Sequence, residues 1–245
     1  MQFKTTLLAL SALTAFGAAQ ASELIQNGDF ETTTAYGQMN QTFSSPSGNL
    51  SPVVAGWSTN GYNFVANNNN IDSSGVYGTD GRLQLWGPNN GSANGLAASP
   101  VGGNYIAADG AYEVGAINQT VNGLKAGQQY QLTFYWAGAQ QQSFTGVTTE
   151  QWNVSLGDES HSTAVLTNAN HGFTGWQKEV FTFTAKQGSE VLSFLAAGTP
   201  SGEPPFSLLD GVSMQAVPEP SAWAMLAAGL ALVGLAMRRR KATAA

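Results

Sequence analysis

The feature that most constrains this chain is an alternation of apolar and polar side chains in its second half. In YQLTFYWAG (Tyr130–Gly138), Tyr130, Leu132, Phe134 and Trp136 fall on one face, and EVFTFTA (Glu179–Ala185) repeats the pattern. Successive side chains of a strand point to opposite faces, so this period predicts strands with one face on a core. No long segment of helical period lies between residues 22 and 217, and Asn-Gly pairs recur as turn signals. The sequence therefore predicts an all-β sandwich or barrel.

Residues 1–21 have the features of a secretory signal peptide. Lys4 supplies a positive charge, Thr5–Phe16 is mostly apolar, and Ala19 and Ala21 form an A-x-A cleavage site. We therefore expect an exported protein whose mature chain begins at Ser22.

A short apolar segment follows the predicted domain near the C-terminus. Ser221–Met237 contains 17 residues without a charge, and as a helix it would extend about 25 Å, near the lower limit for a bilayer core of about 30 Å. Arg238, Arg239, Arg240 and Lys241 follow directly, and such a cluster is expected to stay on the cytoplasmic side. This predicts a transmembrane helix over 221–237 with the domain outside, and a buried core helix is the alternative.

The three residues before this segment are Pro218, Glu219 and Pro220. A Pro-Glu-Pro motif, an apolar span (221–237) and a basic tail (238–241), in this order over 218–245, resemble the PEP-CTERM sorting signal of Gram-negative bacteria. The resemblance implies that the membrane peptidase exosortase is a partner, cutting near the motif and removing the tail. Anchoring in the inner membrane would then be transient, and the product would reside in the cell envelope or outside the cell.

The predicted domain, residues 22–217, is strongly acidic. Of the nine Lys and Arg residues, Lys4 and the four at 238–241 lie outside it, and of the fifteen Asp and Glu residues only Glu219 does. Four cations against fourteen anions give the domain a net charge of −10. Such a domain is repelled by nucleic acid and anionic membranes, so cationic or neutral partners fit better. The chain has no Cys, so a hydrophobic core, with or without a metal, must stabilise the exported domain.

Aromatic side chains near polar segments are the candidate ligand-binding residues. Two segments are rich in Asn, Ser and Gly, namely Thr32–Asn49 and Asn67–Asn94. This composition predicts long loops at one end of a sandwich, where binding residues often lie. The alternative is that these are variable surface loops that bind no ligand. Aromatic rings can pack on the C–H face of a sugar. The candidates for a glycan platform are Trp86, Tyr62, Tyr77 and Trp152. By contrast, Trp57, Trp136 and Trp176 are expected to lie in the core.

Six motifs extend across most of the domain. They are LIQNGDFE (Leu24–Glu31), VAGW (Val54–Trp57), SPVGGNYIAADG (Ser99–Gly110), INQTVNGLKAGQQYQLTFYWAGAQ (Ile117–Gln140), FTGWQKEVFTFTA (Phe173–Ala185) and LLDGVSM (Leu208–Met214). In this order they resemble galactose-binding-like jelly rolls of the carbohydrate-binding-module type. The resemblance implies a sandwich of two facing antiparallel sheets, but it leaves sugar binding open because one fold hosts many functions.

The same resemblance implies a structural calcium ion that joins the first and last strands. The matching positions are Asp29, Glu31 and Asp210, and carboxylates with backbone carbonyls are ligands that Ca²⁺ prefers. A turn at residues 27–29 and a strand-end Asp210, without metal, are the alternative.

No catalytic residue is predicted. Asp72, Asp80, Asp109 and Glu113 lie in or beside loops and could meet as a glycosidase pair, but acidic loop residues are usually just solvated. The sequence thus predicts a non-catalytic envelope or extracellular-matrix protein that associates with exopolysaccharide or another glycan. A structural matrix protein without a ligand and a glycan-active hydrolase are the alternatives.

Overall fold

The computed structural model describes residues 22–45, 48–78, 81–218 and 225–234. Its strands, in chain order, are β1 (Gly37–Gln38), β2 (Phe43–Ser45), β3 (Gly48–Leu50), β4 (Ser58–Thr59), β5 (Asn63–Asn67), β6 (Val76–Gly78), β7 (Gly81–Leu83), β8 (Asn104–Asp109), β9 (Ile117–Asn122), β10 (Gln129–Gln140), β11 (Thr148–Leu156), β12 (Glu159–Ser162), β13 (Leu166–Asn168), β14 (Gln177–Thr184), β15 (Ser189–Thr199) and β16 (Pro205–Ala216). A 3-10 turn covers Pro88–Asn90, and residues 225–234 are helical.

Two six-stranded sheets form the body of the described domain. In the first sheet the strands lie in the order β1-β5-β8-β16-β10-β14, and in the second β12-β11-β15-β9-β4, with β13 beside β11. Neighbouring strands pair antiparallel. Two short hairpins, β2-β3 and β6-β7, stand apart from these sheets. The domain is an all-β sandwich of the jelly-roll type, as the sequence predicts.

The main core lies between the two sheets. The alternating residues of β10, from Tyr130 to Trp136, face inward and are buried. Phe134 of the first sheet meets Phe194 of the second edge to face, with ring centroids 5.2 Å apart. Trp57 and Trp136 are buried in this core, which confirms the prediction for both residues.

A second core covers the opposite face of the first sheet. Phe64, Tyr105 and Phe206 point away from the second sheet and pack beneath residues 71–96, among them Ile71 and Leu83. The segment Asn67–Asn94 therefore crosses the outer face of the first sheet, and the prediction that it forms loops at one end is wrong for most of its length. The apolar side chains scattered among its Asn and Ser residues explain the difference, because Ile71, Val76, Leu83 and Leu85 fill this second core.

Side chains of β12 close one edge of the sandwich. Glu159 accepts a hydrogen bond from the backbone N–H of Thr184 at 2.8 Å and pairs with His161 at 3.2 Å. The His161 ring stacks on Phe181, with centroids 5.3 Å apart. The edge strand β14 is thereby tied to the second sheet by side chains.

Candidate functional site

One end of the sandwich, which we call the loop end, gathers the polar connections. It is the end at which β8 and β10 finish and β11 and β16 begin. The backbone N–H of Gly110 donates a hydrogen bond to the carbonyl of Pro205 at 2.9 Å, and the carbonyl of Gly110 accepts one from the backbone N–H of Gly198 at 3.0 Å. A Cβ on Gly110 would lie 2.6 Å from the Gly198 nitrogen, so only glycine permits this close approach of the two sheets. The loops 110–116, 141–147 and 200–204 consequently meet above the junction.

These loops surround a cavity of about 530 Å³, which we call the aromatic cavity. Its lining consists of Tyr62, Asp109, Ala111, Tyr112, Gln141, Phe144, Ser201, Gly202 and Pro204. Tyr62 and Asp109 are buried at its base, with 4% and 2% of their surface exposed, whereas Tyr112 is 44% exposed. This volume lies within the range of about 300–1,000 Å³ that is usual for small-molecule sites.

The aromatic walls are held in a defined geometry. The rings of Tyr62 and Tyr112 meet at 88°, with centroids 5.1 Å apart. The Tyr62 backbone N–H donates to the carbonyl of Glu113 at 2.9 Å, and Glu113 adopts a left-handed conformation with φ of 41°. A non-glycine residue persists in that region only when its surroundings fix it. The loop that carries Tyr112 is therefore ordered against Tyr62.

Asp109 fixes the same loop with one carboxylate oxygen. Its Oδ1 accepts the backbone N–H groups of Ala111 at 2.8 Å and Tyr112 at 3.0 Å. Its Oδ2 is buried and has no hydrogen-bond partner among the residues that the structure describes. Burial raises the pKa of Asp109 to about 6, against the lowering effect of the two backbone donors. A ligand group that donates to Oδ2 would satisfy this oxygen.

The charges near the aromatic cavity are negative. Glu113 follows Tyr112 in the chain, and Glu203 lies between the lining residues Gly202 and Pro204. No Lys, Arg or His occurs among the described lining residues. Lys125 and Lys186 lie in the turns β9-β10 and β14-β15, at the opposite end of the sandwich. No cationic side chain in the described lining therefore compensates the carboxylate of Asp109.

Trp86 lies beside a second, more polar cavity. Its ring stacks on His171, with centroids 3.9 Å apart, and its Nε1 donates to the carbonyl of Phe144 at 2.9 Å. His171 adopts φ of 56° and is held by Gln140, whose Oε1 accepts its backbone N–H at 2.7 Å. The adjoining cavity of about 480 Å³ is lined by residues 92–94 and 167–174. Phe144 thus connects Trp86 to the aromatic cavity.

The structure places the four predicted platform residues in different environments. Tyr62 lines the aromatic cavity and Trp86 lies next to it, so the structure brings these two to the same end. Tyr77 lines a separate cavity with Tyr36 and Arg82, whose guanidinium carbon is 5.4 Å from the Tyr77 ring centroid. Trp152 cannot serve as a platform, because its side chain is completely buried between the sheets and its Nε1 donates to the carbonyl of Leu208 at 3.1 Å.

Sequence reasoning did not single out Tyr112 and Phe144, which line the aromatic cavity. Each is an aromatic residue within a loop that is otherwise small or polar, ADGAYEVG and AQQQSFTG. That contrast is the signal that could have found them. Of the carboxylates considered for a hydrolase, Asp109 lines the cavity, whereas Asp72 is buried elsewhere and accepts hydrogen bonds from Asn89. Asp80 lies outside the described residues.

The three predicted calcium ligands lie in one region. The pKa of Asp210 is raised to about 7, mainly by burial and further by the negative charges of Glu31 and Asp29. Asp210 Oδ2 is buried without a hydrogen-bond partner in the described part of the chain. Glu31 also has a structural role, because its Oε1 accepts the backbone N–H of Asn104 at 2.6 Å.

Among the described residues, no three His, Asp or Glu side chains are arranged to hold a metal ion. Calcium at Asp29, Glu31 and Asp210 would therefore also need backbone oxygens, and it stays a prediction.

The predicted signals at the two ends are only partly described. Residues 1–21, with Ala19 and Ala21, lie outside the described residues, as do Glu219, Pro220 and residues 238–245. Within the predicted span 221–237, residues 225–234 form a helix. In the described part of the chain, no helix is long and apolar enough to cross a membrane.

Two facing antiparallel sheets with a cavity among the loops at one end define a β-sandwich of the jelly-roll type. Comparison with family models then gives the family: residues 79–215, more than half of the chain, match the model described as "Protein of unknown function (DUF642)". The chain therefore belongs to this family. Residues 216–241 match the PEP-CTERM protein-sorting motif, which confirms the predicted sorting signal and implies an exported protein that exosortase processes.

A curated relative is halomucin from Haloquadratum walsbyi, which is 30% identical over 199 residues. The match covers 80% of this chain but only 2% of halomucin. The chain thus spans a very small part of this relative.

Solved structures with a similar course of the chain include TmCBM61 in complex with beta-1,4-galactotriose (TM-score 0.41, 16% identity, covering 80% of this chain and 100% of that one). Another is the K3 adhesin domain of Lys-gingipain from Porphyromonas gingivalis (0.39, 14%, 79% and 98%). A third is the CBM22-1 xylan-binding domain of Paenibacillus barcinonensis Xyn10C (0.35, 11%, 76% and 96%). The order of the strands in the two sheets by itself defines the sandwich.

Proposed function

We propose that the protein is a non-catalytic glycan-associating protein of the cell envelope or extracellular matrix. Exosortase would release it from its transient anchor in the inner membrane. The domain would then hold exopolysaccharide or another glycan in the aromatic cavity. The observation that carries the proposal is the convergence of Tyr62, Tyr112 and Phe144 on one cavity that also presents the amide of Gln141 and the carboxylate of Asp109.

The chemistry of this lining matches that of a sugar. A pyranose ring offers an apolar C–H face, which packs on an aromatic ring, and hydroxyl groups around its rim, which bond to amides and carboxylates. Tyr112 is the most accessible aromatic wall and Asp109 the most buried polar group of the cavity. A sugar unit could therefore contact both kinds of surface at once.

The test is binding of the protein to a glycan array and to polysaccharide isolated from the producing cells. Tyr112→Ala should abolish or strongly weaken binding, because it removes one wall of the aromatic cavity. Tyr36→Ala is a matched control, since Tyr36 is similarly exposed (39%) but lines another cavity. Blank results on both materials would refute glycan binding and favour the alternative of a matrix protein without a ligand. Glycan turnover that depends on one loop carboxylate would instead establish a hydrolase.

A further inference from the structure

The aromatic cavity combines features that discriminate among glycans. It has two tyrosine rings at a right angle and, at its base, a carboxylate oxygen without a hydrogen-bond partner in the described residues. A neutral hydroxyl could donate to that oxygen. A cation satisfies it better, because it adds a Coulombic attraction to the hydrogen bond that a neutral hydroxyl would also make.

The aromatic walls favour a positive charge as well. The face of an aromatic ring is electronegative and attracts an ammonium group within about 6 Å of its centroid. Tyr62 and Tyr112 form a corner, and Phe144 lies on the same lining. An ammonium group within this corner would lie between ring faces and the Asp109 carboxylate.

The electrostatic potential around the cavity also favours a cation, because the charged residues beside the lining are acidic. Glu113 and Glu203 flank the lining, the four cations of residues 22–217 include none of the lining residues, and that domain carries a net charge of −10. A cleft surrounded by one sign of charge concentrates ligands of the opposite sign. The surroundings would therefore repel acidic polysaccharides and attract basic ones.

We propose that the aromatic cavity binds a glycan that carries free amino groups, with the ammonium of an amino sugar on Asp109 and the sugar ring against Tyr112. This inference rests on the proposed function and names its ligand class. An N-acetylated or neutral sugar would leave the Asp109 oxygen without a charged donor.

The experiment measures affinity by calorimetry for three oligosaccharides of equal length: β-1,4-linked glucosamine, its fully N-acetylated form and cello-oligosaccharide. We expect the glucosamine oligomer to bind at least about tenfold more tightly than the other two. Its affinity should also fall as salt is raised from about 0.02 to about 0.3 M, because added salt screens exposed charges.

Asp109→Asn is the decisive variant, because asparagine keeps an oxygen for the two backbone donors and removes only the charge. It should weaken binding of the glucosamine oligomer at least about tenfold and change the affinity for neutral oligomers by a clearly smaller factor. Asp158→Asn is the control, since Asp158 lies in the turn β11-β12 at the opposite end and pairs with Lys186. If Asp109→Asn fails to fold, the double change Glu113→Gln and Glu203→Gln should still weaken glucosamine binding and its salt dependence.

The outcomes separate this inference from the proposed function. Equal binding of all three oligosaccharides, unchanged by Asp109→Asn but lost in Tyr112→Ala, would overturn the cationic ligand and leave glycan association standing. Absence of binding to every oligosaccharide and to the cell's own polysaccharide would overturn both. A lysine peptide that binds as tightly as the glucosamine oligomer, with the same dependence on Asp109, would overturn the assignment to a sugar.

Discussion

Replacement of Glu150 by glutamine should change how the stability of the domain depends on pH. Glu150 is fully buried in β11 between the sheets, where its Oε1 accepts a hydrogen bond from Thr148 at 2.5 Å. Its Oε2 has no hydrogen-bond partner among the described residues, and a Cβ at Gly138 would lie 2.5 Å from it. Neither of the ion pairs recorded in the described chain involves Glu150, so no cation compensates its charge there.

The magnitude follows from the pKa of this buried carboxyl. Burial raises the pKa of Glu150 from 4.5 to about 7, opposed chiefly by the hydrogen bond from Thr148. A carboxyl with a higher pKa in the folded state holds its proton more tightly when folded. Its contribution to stability is therefore complete below about pH 4.5 and lost as the pH rises through about 7. At about 1.4 kcal/mol for each pH unit between the two values, the loss is about 3 kcal/mol.

The assay is thermal and urea unfolding of the wild type and Glu150→Gln from pH 4.5 to 8.5. Glutamine is neutral throughout, so the stability of the variant relative to the wild type should rise by about 3 kcal/mol across this range. That change corresponds to a relative shift in Tm of about 6–12 °C for a domain of this size. The contributions of Asp109 and Asp210 are common to both proteins and cancel in the comparison.

Glu113→Gln serves as the matched control, because Glu113 is exposed and its replacement removes no buried carboxyl. A difference between Glu150→Gln and the wild type that stays constant across the pH range would refute the argument. It would mean that the Glu150 carboxylate is as well solvated in the folded protein as in the unfolded chain.

Three further predictions concern stability. Trp152→Ala should destabilise the domain by about 3–5 kcal/mol in urea unfolding, because it leaves a cavity in the core, whereas Trp86→Ala should cost clearly less; equal costs would contradict the burial of Trp152. Glu159→Ala should cost about 1 kcal/mol, since the Thr184 N–H loses its acceptor, and an unchanged urea midpoint would show that the edge contact contributes nothing. If calcium binds at Asp29, Glu31 and Asp210, Ca²⁺ at about 100 times its Kd should stabilise the wild type by about 2.7 kcal/mol but not Asp210→Asn; identical melting with Ca²⁺ and with chelator would exclude the site.

Local sequence determined the strands and the residues of the main core. In β10 the alternation from Tyr130 to Trp136 depends only on the two-residue period of a strand, so it can be counted in the sequence without knowing the partners. The sorting signal is equally local, because the apolar span and the cations that define it lie within about 25 consecutive residues. These were the features that the structure or the family comparison confirmed.

The lining of the candidate site could be predicted only in part, because burial depends on the partner sheet and not on the neighbours in sequence. Trp152 and Trp86 each stand among polar residues, yet the ring of Trp152, on a strand of the second sheet, is covered by the first sheet, whereas that of Trp86 lies on His171. Tyr62, Tyr112 and Phe144 are separated by tens of residues, and nothing in their separate segments indicates a common cavity. They meet because the close contact at Gly110 brings three loops to one end of the sandwich.

The amino-acid sequence by itself thus determined which residues alternate into strands, the acidic charge of the domain and the address at the C-terminus. The tertiary structure decided which aromatic rings remain accessible to solvent, which carboxylates are buried away from water and which loops line the same cavity. The physical reason is that strand period, charge and hydropathy are sums over neighbouring residues, whereas exposure and proximity arise only when distant strands pair and two sheets exclude water between them.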